Sequence, residues 1–323
     1  MNSENRVLAK QKDYFARINA ELGKALRSRV GLIEDIEKHT LLGEGKRFRP
    51  LLFVLSSQLC GYREEDVFRA STVFEYIHAA SLLHDDVIDN ANIRRRKPSA
   101  NHIWGNHSAV LEGDYLFSKA LSIAVNVNNL SFLRRLTDAT LQMTEGQILE
   151  SIHTNNWETS KEVYMDVIVA KTAALISAAC ACGAIISGSK DWAVQSLGEF
   201  GLNLGIAFQL MDDFLDYTAS QDVLGKPVGK DLREGKITLP LIYTLSRLEE
   251  DERRGAERVF RTGREEDREN LVELVRGKGA LNDIRDEARV YTKRAATCLS
   301  PFPESSVKRD LLDLNQYVVE RTY

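Results

Sequence analysis

The sequence predicts an all-α protein, and three observations carry that prediction. Prolines number only six in 323 residues, so few positions forbid a continuing helix. Apolar side chains recur at intervals of three and four along most of the chain, the period of a helix rather than of a strand. No run of alternating polar and apolar residues appears, and no glycine-rich loop of the phosphate-binding type.

Taken in order, the chain opens with MNSENRVLAKQKDYFARINAELGKAL, charged and helix-like, without the apolar stretch of a secretory signal. GEGKRFRP, residues 43 to 50, reads as a positioned basic loop, flanked by glycine and ended by a proline at the start of a core helix. In RASTVFEYIHAASLLHDD the apolar positions Ala70, Val73, Phe74, Ile77 and Leu82 fall at helical spacing. The same pattern runs through 107 to 126, 131 to 152, 162 to 187, 192 to 217 and 236 to 249. Breaks are short, at 43–50, 95–99, 155–160, 188–191 and 220–235, and none has the composition of a linker. The segment VIVAKTAALISAACACGAIIS, 167 to 187, approaches the length of a membrane span. Its small residues, with Lys171 and Thr172 near its start, favour a buried central helix. The charged stretch 249 to 271 reads as a solvated helix pair or exposed loop. One all-α domain over 1–323 is the expectation.

Hydrophobic residues make up 43% and charged residues 28%, as in an ordinary soluble protein, and the net charge of -4 offers no general basic surface for nucleic acid. Cys60, Cys180, Cys182 and Cys298 have no zinc-type spacing. They read as reduced thiols in the cytoplasm.

The chemistry lies in a recurrence. DDVID at 85–89 and DDFLD at 212–216 each place Asp at i, i+1 and i+4. On a helix, i and i+4 stand about 40° apart on one face. Asp85 and Asp89 therefore converge, as do Asp212 and Asp216. Acidic runs are ordinarily solvated faces, but ASLLH before Asp85 and AFQLM before Asp212 are buried-helix sequences. A hard divalent cation turns such repulsion into coordination, and Mg²⁺ commonly bridges one or two carboxylates to substrate phosphates. Arg94 and Arg95 follow the first cluster, and Lys46, Arg47 and Arg49 precede it in the basic loop. Guanidinium groups bind phosphate oxygens bidentately. Acid and base side by side thus point to two polyphosphate substrates, one held through metal and one held directly.

GKRFRP, HDDVIDNANIRRRKPSAN, WGNHSAVLEGDYLFSKA, EGQ, KTA, FQLMDDFLDY and LGKPVGKDLREGKITLPLI, in order from residue 43 to 242, resemble the trans-isoprenyl diphosphate synthases, above all the bacterial long-chain octaprenyl type. The resemblance implies helices around a deep central cavity, a homodimer, and condensation of isopentenyl diphosphate onto an allylic diphosphate such as farnesyl diphosphate. It makes Asp85, Asp89, Asp212 and Asp216 ligands to about three Mg²⁺ ions, with Asp86 and Asp213 supporting them. It assigns Lys46, Arg49, His78 and Arg95 to isopentenyl diphosphate. Arg94, Lys171, Thr172, Gln209, Lys226 and Lys236 go to the allylic diphosphate. Helix arithmetic puts His78 within about 20° of Asp85 and of Asp89. Arg96, where many relatives carry glycine, receives no role.

In the same family, the residues four and five before the first Asp limit chain growth. Here they are Ser81 and Ala80. Both are small, so the resemblance implies a product beyond geranylgeranyl, with octaprenyl as the central expectation, Phe74 as a deeper floor and LSIAVNV at 121–127 as an opposite wall. Quinone side chains are the expected destination, and a product so apolar implies slow release, with transient membrane contact. A terpene cyclase would carry a hydroxyl-containing second metal motif and lack the basic pocket. A phosphohydrolase built on His84-Asp85 would need further His ligands, and the chain has six histidines. A non-catalytic partner subunit would lack a cluster that this chain keeps.

Overall fold

Helix forms wherever the sequence repeats apolar residues at three- and four-residue intervals. The computed structural model describes residues 7, 9–24, 28–41, 45–218, 228–262 and 264–321. In order these give α1 Lys12–Lys24, α2 Gly31–Thr40, α3 Phe48–Leu59 and α4 Asp66–Ile88. A hairpin of β1 Ile93–Arg94 and β2 Lys97–Pro98 follows, then α5 Ala100–Asn126, α6 Leu130–His153 and α7 Lys161–Ile168. A π-helical turn, Val169–Ala173, joins α7 to α8 Ala174–Ile186 and precedes α9 Asp191–Thr218. The remainder is α10 Lys230–Arg233, α11 Leu239–Leu245, α12 Glu250–Thr262, α13 Glu265–Gly277, α14 Ala280–Cys298 and α15 Ser306–Glu320.

The predicted segments become helices with few adjustments. Gly105, at φ 82° and ψ 157°, breaks the start of α5, so its regular part begins near the predicted 107. The segment expected over 236–249 is helical only as α11, because the chain is extended at its Thr238 N-cap. The 249–271 stretch is a helix pair, as one of its two readings had it. It is not wholly solvated: Ala256 of α12 and Leu271 of α13 are buried. The 95–99 break holds the end of the two-stranded hairpin, with Ile93 opposite Pro98 and Arg94 opposite Lys97.

Contacts divide the chain into two compact units. The first comprises Met1–Thr140, Leu175–Gly198 and Pro301–Asp313, and the second Leu141–Ala174, Glu199–Ser300 and Leu314–Tyr323. In the first, α4 packs along α5 and against α3 and α1. Its centre is an aromatic triad of Phe53, Phe74 and Phe132, with ring centroids 5.3 to 6.1 Å apart and no exposed surface. Trp192 of α9 lies 47% exposed against Phe302, 5.0 Å between ring centroids. In the second, Trp157, Tyr217, Leu241, Leu271 and Val275 form a buried cluster, with Phe260 packed on Trp157 at 5.3 Å.

The helical run Lys161–Ile186 is long and apolar enough to cross a membrane, yet 72% of its most apolar 18-residue window is buried inside the protein, as expected of a core helix. The four cysteines are free.

Candidate active site

In the first unit the last turn of α4 carries the DDVID cluster. The Asp89 amide donates to the Asp85 carbonyl at 2.8 Å, so Asp89 completes that turn as the C-cap. Asp85 and Asp89 are half-buried while Asp86 is buried. Their carboxylates stand at a helix C-terminus, whose dipole adds to the attraction for a cation. Asp86 points elsewhere: Arg94 Nε donates to its Oδ1 at 2.8 Å, and Asn101 Nδ2 donates to its carbonyl at 3.1 Å. Arg94 and Arg95 line a recess with Leu82, Leu83, Asp86 and Lys97.

Arg95 and Arg96 form the hairpin loop, both in the left-handed region at φ 49° and 63°. A two-residue hairpin of the I′ type requires positive φ at both positions, which glycine and asparagine supply at low cost and arginine does not. The loop therefore holds the arginine pair in a strained conformation.

Of the basic loop, Lys46 is exposed and Arg49 half-buried, both at the entry of α3. Arg47 turns inward. Its Nη1 donates to Glu75 Oε1 at 2.7 Å and its Nε to Asn19 Oδ1 at 2.9 Å, and Nη2 bonds the Leu41 carbonyl. Arg47 thus pins the loop. His78 is half-buried on α4. Burial, reinforced by the charges of Arg49, Arg95, Arg94 and Arg47, holds its pKa well below the ordinary histidine range. Ser81 is half-buried and donates to the His78 carbonyl at 2.8 Å, and Ala80 is buried.

In the second unit the π-turn presents Lys171 and Thr172. Its defining bond runs from the Ala174 amide to the Val169 carbonyl, five residues back. Such turns are rare and recur at functional sites. Lys171 Nζ lies 2.6 Å from Glu150 Oε2, which is also 3.8 Å from Lys236 Nζ. Lys236 pairs with Glu234 at 2.8 Å. Although burial pushes the Glu234 carboxyl up, Lys236 and Lys230 hold it below its ordinary value. A chain of hydrogen bonds runs from Thr172 Oγ1 to Gln209 Oε1 (2.9 Å), then from Gln209 Nε2 to Asp213 Oδ1 (2.8 Å). Tyr164 donates its phenol to Asp213 Oδ2 at 2.6 Å. Burial, with Asp231 beside it, raises the Asp213 pKa, while the donors Tyr164 and Gln209 pull it back. Asp212 pairs with Arg321 at 2.7 Å, and Asp216 Oδ2 accepts the Asp231 amide at 3.1 Å.

Of the residues singled out by sequence, the first unit therefore holds Lys46, Arg49, His78, Ala80, Ser81, Asp85, Asp86, Asp89, Arg94 and Arg95, and the second Lys171, Thr172, Gln209, Asp212, Asp213, Asp216 and Lys236. Lys226 and Gly43 lie outside the described residues. Tyr164, Glu150 and Arg321 were missed. Tyr164 and Glu150 sit at ordinary helix positions, and Arg321 follows an apolar run near the C-terminus with no motif around it. Cations answer carboxylates in both clusters: Arg94 pairs with Asp86, and Arg321 with Asp212.

These donors fit a hard cation that keeps outside ligands. All are carboxylate oxygens, and among the described residues no three or more His, Cys, Asp or Glu side chains close into a cage. Mg²⁺ suits such open sites, completing its shell with water and phosphate oxygens.

The sequence matches the polyprenyl synthetase family over residues 30–276. The chain belongs to the polyprenyl synthetase family. It is 33% identical to an all-trans-nonaprenyl-diphosphate synthase (geranyl-diphosphate specific) of Rhodobacter capsulatus, over 98% of this chain and 97% of that one. It is 34% identical to the octaprenyl diphosphate synthase of Escherichia coli K12, over 95% of each. The polyprenyl synthase of Caulobacter crescentus, solved with calcium and isoprenyl diphosphate, superposes with a TM-score of 0.95 at 35% identity over 100% of both chains. The fold is thus the all-α isoprenoid synthase fold, and this polyprenyl synthetase is a prenyltransferase of a Mg²⁺-dependent family. Relatives of comparable identity are named for geranylgeranyl and heptaprenyl products, so overall similarity does not rank product length.

Proposed function

We propose that this polyprenyl synthetase condenses isopentenyl diphosphate onto an allylic primer, farnesyl diphosphate, to give a long all-trans product centred on octaprenyl diphosphate. The observation that carries the reading is the recess in which Arg94, Arg95 and Lys97 meet beside Asp86 of the DDVID turn. It supports a metal-free diphosphate pocket beside a carboxylate cluster suited to metal.

The allylic C–O bond breaks, leaving a carbocation and diphosphate. The double bond of isopentenyl diphosphate attacks the cation, and a proton leaves to the released diphosphate. Lys46, Arg49, His78 and Arg95 orient isopentenyl diphosphate. Arg94, Lys171, Lys226 and Lys236 balance charge on the leaving group, where fixed cations count most. Asp85, Asp89, Asp212 and Asp216 would hold Mg²⁺, about three ions per site, with Asp86 and Asp213 behind them. When bound, the metal supplies Lewis-acid stabilisation of the departing diphosphate. Thr172 and Gln209 turn oxygen dipoles toward the carbocation. Thr172 has lone pairs to offer, while Gln209 Oε1 accepts the Thr172 hydroxyl as it stands.

Product length rests on α4. Ser81 stands one turn before Asp85, and its small side chain supports an open path. Phe74, two turns deeper, belongs with Phe53 and Phe132 to the buried triad and supports a floor there. The chain acts as one catalytic domain and a homodimer in the cytoplasm. The family match running through both units supports the first. Val110, Leu111, Phe117 and Val125, exposed along α5, support the second. Free cysteines suit a reducing compartment.

The test incubates purified protein with Mg²⁺, farnesyl or geranyl diphosphate and excess isopentenyl diphosphate, and sizes products by mass spectrometry. A ladder ending at a long polyprenyl diphosphate is expected. A stop at geranylgeranyl would overturn the length, and absence of elongation by folded protein would overturn the activity.

A further inference from the structure

The π-turn Val169–Ala173 is touched by two helices at points where neither can carry a side chain. A Cβ built on Gly146 of α6 would lie 2.6 Å from the Lys171 amide nitrogen and 2.8 Å from Ala170 Cβ. One built on Gly205 of α9 would lie 2.6 Å from Ala173 Cα and 2.9 Å from its Cβ. Distances this short do not occur between real atoms, and the nearest partners are backbone, which cannot swing aside. One helical turn beyond each glycine, on the same face, stands a residue that holds what the π-turn presents. Glu150, four after Gly146, binds Lys171 at 2.6 Å. Gln209, four after Gly205, accepts from Thr172 at 2.9 Å. The arrangement is thus used twice: a glycine admits the backbone, and a polar side chain one turn on fixes the half-buried group that the turn presents.

We propose that Gly146 with Glu150, and Gly205 with Gln209, are a positioning device for the allylic diphosphate site, seating the π-turn so that Lys171 and Thr172 face the substrate. The proposal rests on the reading that Lys171 and Thr172 serve the allylic substrate. A π-turn carries one residue more than an α-turn would. The extra residue displaces the turn's side chains from the helical stripe, and the two close backbone contacts keep it from relaxing. The glycines touch no substrate and act only through the turn.

The experiment compares Gly146→Ala, Gly205→Ala and deletion of Ala170, which removes the extra residue without adding an atom. The readouts are binding of farnesyl thiodiphosphate, an unreactive allylic analogue, in the presence of Mg²⁺, and steady-state constants for each substrate. Each variant is expected to weaken analogue binding and raise KM for farnesyl diphosphate by about tenfold or more, with KM for isopentenyl diphosphate within about twofold. Equal losses for both substrates would overturn the device, as would a deletion variant that binds the analogue as the parent does. A deletion variant that cannot fold would make the turn purely structural and overturns the proposal equally. Lys171→Ala separates the underlying reading: an unchanged KM for farnesyl diphosphate there, with normal folding, would remove the reading and the proposal with it.

Discussion

Neighbouring arginines in this chain have opposite fates, and only the structure separates them. Arg47 and Arg49 read alike in GKRFRP, but Arg47 is 4% exposed and locked to Glu75. A buried ion pair that loses one partner leaves an uncompensated charge. Arg47→Ala is therefore expected to destabilise by about 3–5 kcal/mol, read from denaturant unfolding. Unfolding unchanged from the parent would remove the pinning role. Arg96 shows the converse. Its φ of 63° strains a non-glycine residue, so Arg96→Gly is expected to raise stability by about 0.5–1 kcal/mol, the αL strain removed less the backbone entropy that glycine adds. Its steady-state constants should stay at parent values, and a lowered melting temperature would count against the strain argument. Sequence reading found the acidic residues because their spacing repeats. It missed Tyr164 and Arg321 because a single hydrogen-bond partner leaves no periodic trace.

Helices were legible because their period is written in the apolar residues, and the two Asp clusters because i and i+4 must share a face. The π-turn was not. VAKTA contains nothing that forbids an α-helix, and the two glycines that meet the turn, Gly146 and Gly205, stand more than twenty residues away in sequence. The tight hairpin was hidden likewise, since Arg-Arg is not a turn signal. On α4, Ser81→Phe is expected to shorten the product sharply, sized by mass spectrometry; an unchanged ladder would sink the floor argument. On α5, Glu112 is 2% exposed, and burial, with Glu37 of α2 beside it and Lys119 only partly opposing, raises its pKa to about 8. Unfolded, it would titrate at 4.5. Between these values folding must bind a proton, so stability falls as pH rises from 4.5 to about 8 and then levels. Glu112→Gln should flatten that fall and raise the melting temperature at pH 8 but not below 4.5. Burial raises Glu37 as well, so a residual slope should persist. A parent profile with no decline across that interval would refute the assignment.

At the scale of the whole protein, family membership follows from motifs in fixed order and product length does not, because relatives of comparable identity are named for different products. The long polyprenyl product proposed above would, on leaving for water, expose apolar surface at roughly 25 cal/mol per Å². Non-ionic detergent is therefore expected to raise steady-state turnover while leaving the single-turnover rate unchanged, compared by rapid quench. Equal effects on both would place the slow step in chemistry. The tryptophans described above have an optical consequence. Buried Trp157 belongs to the second unit, and half-exposed Trp192 to the first. The former should emit toward the blue and resist aqueous quenchers, and the latter toward the red and yield to them. In Trp157→Phe the emission comes from Trp104 and Trp192 alone, both of the first unit, and setting its melting curve against that of the parent, which adds the second unit's Trp157, would reveal whether the two units come apart together.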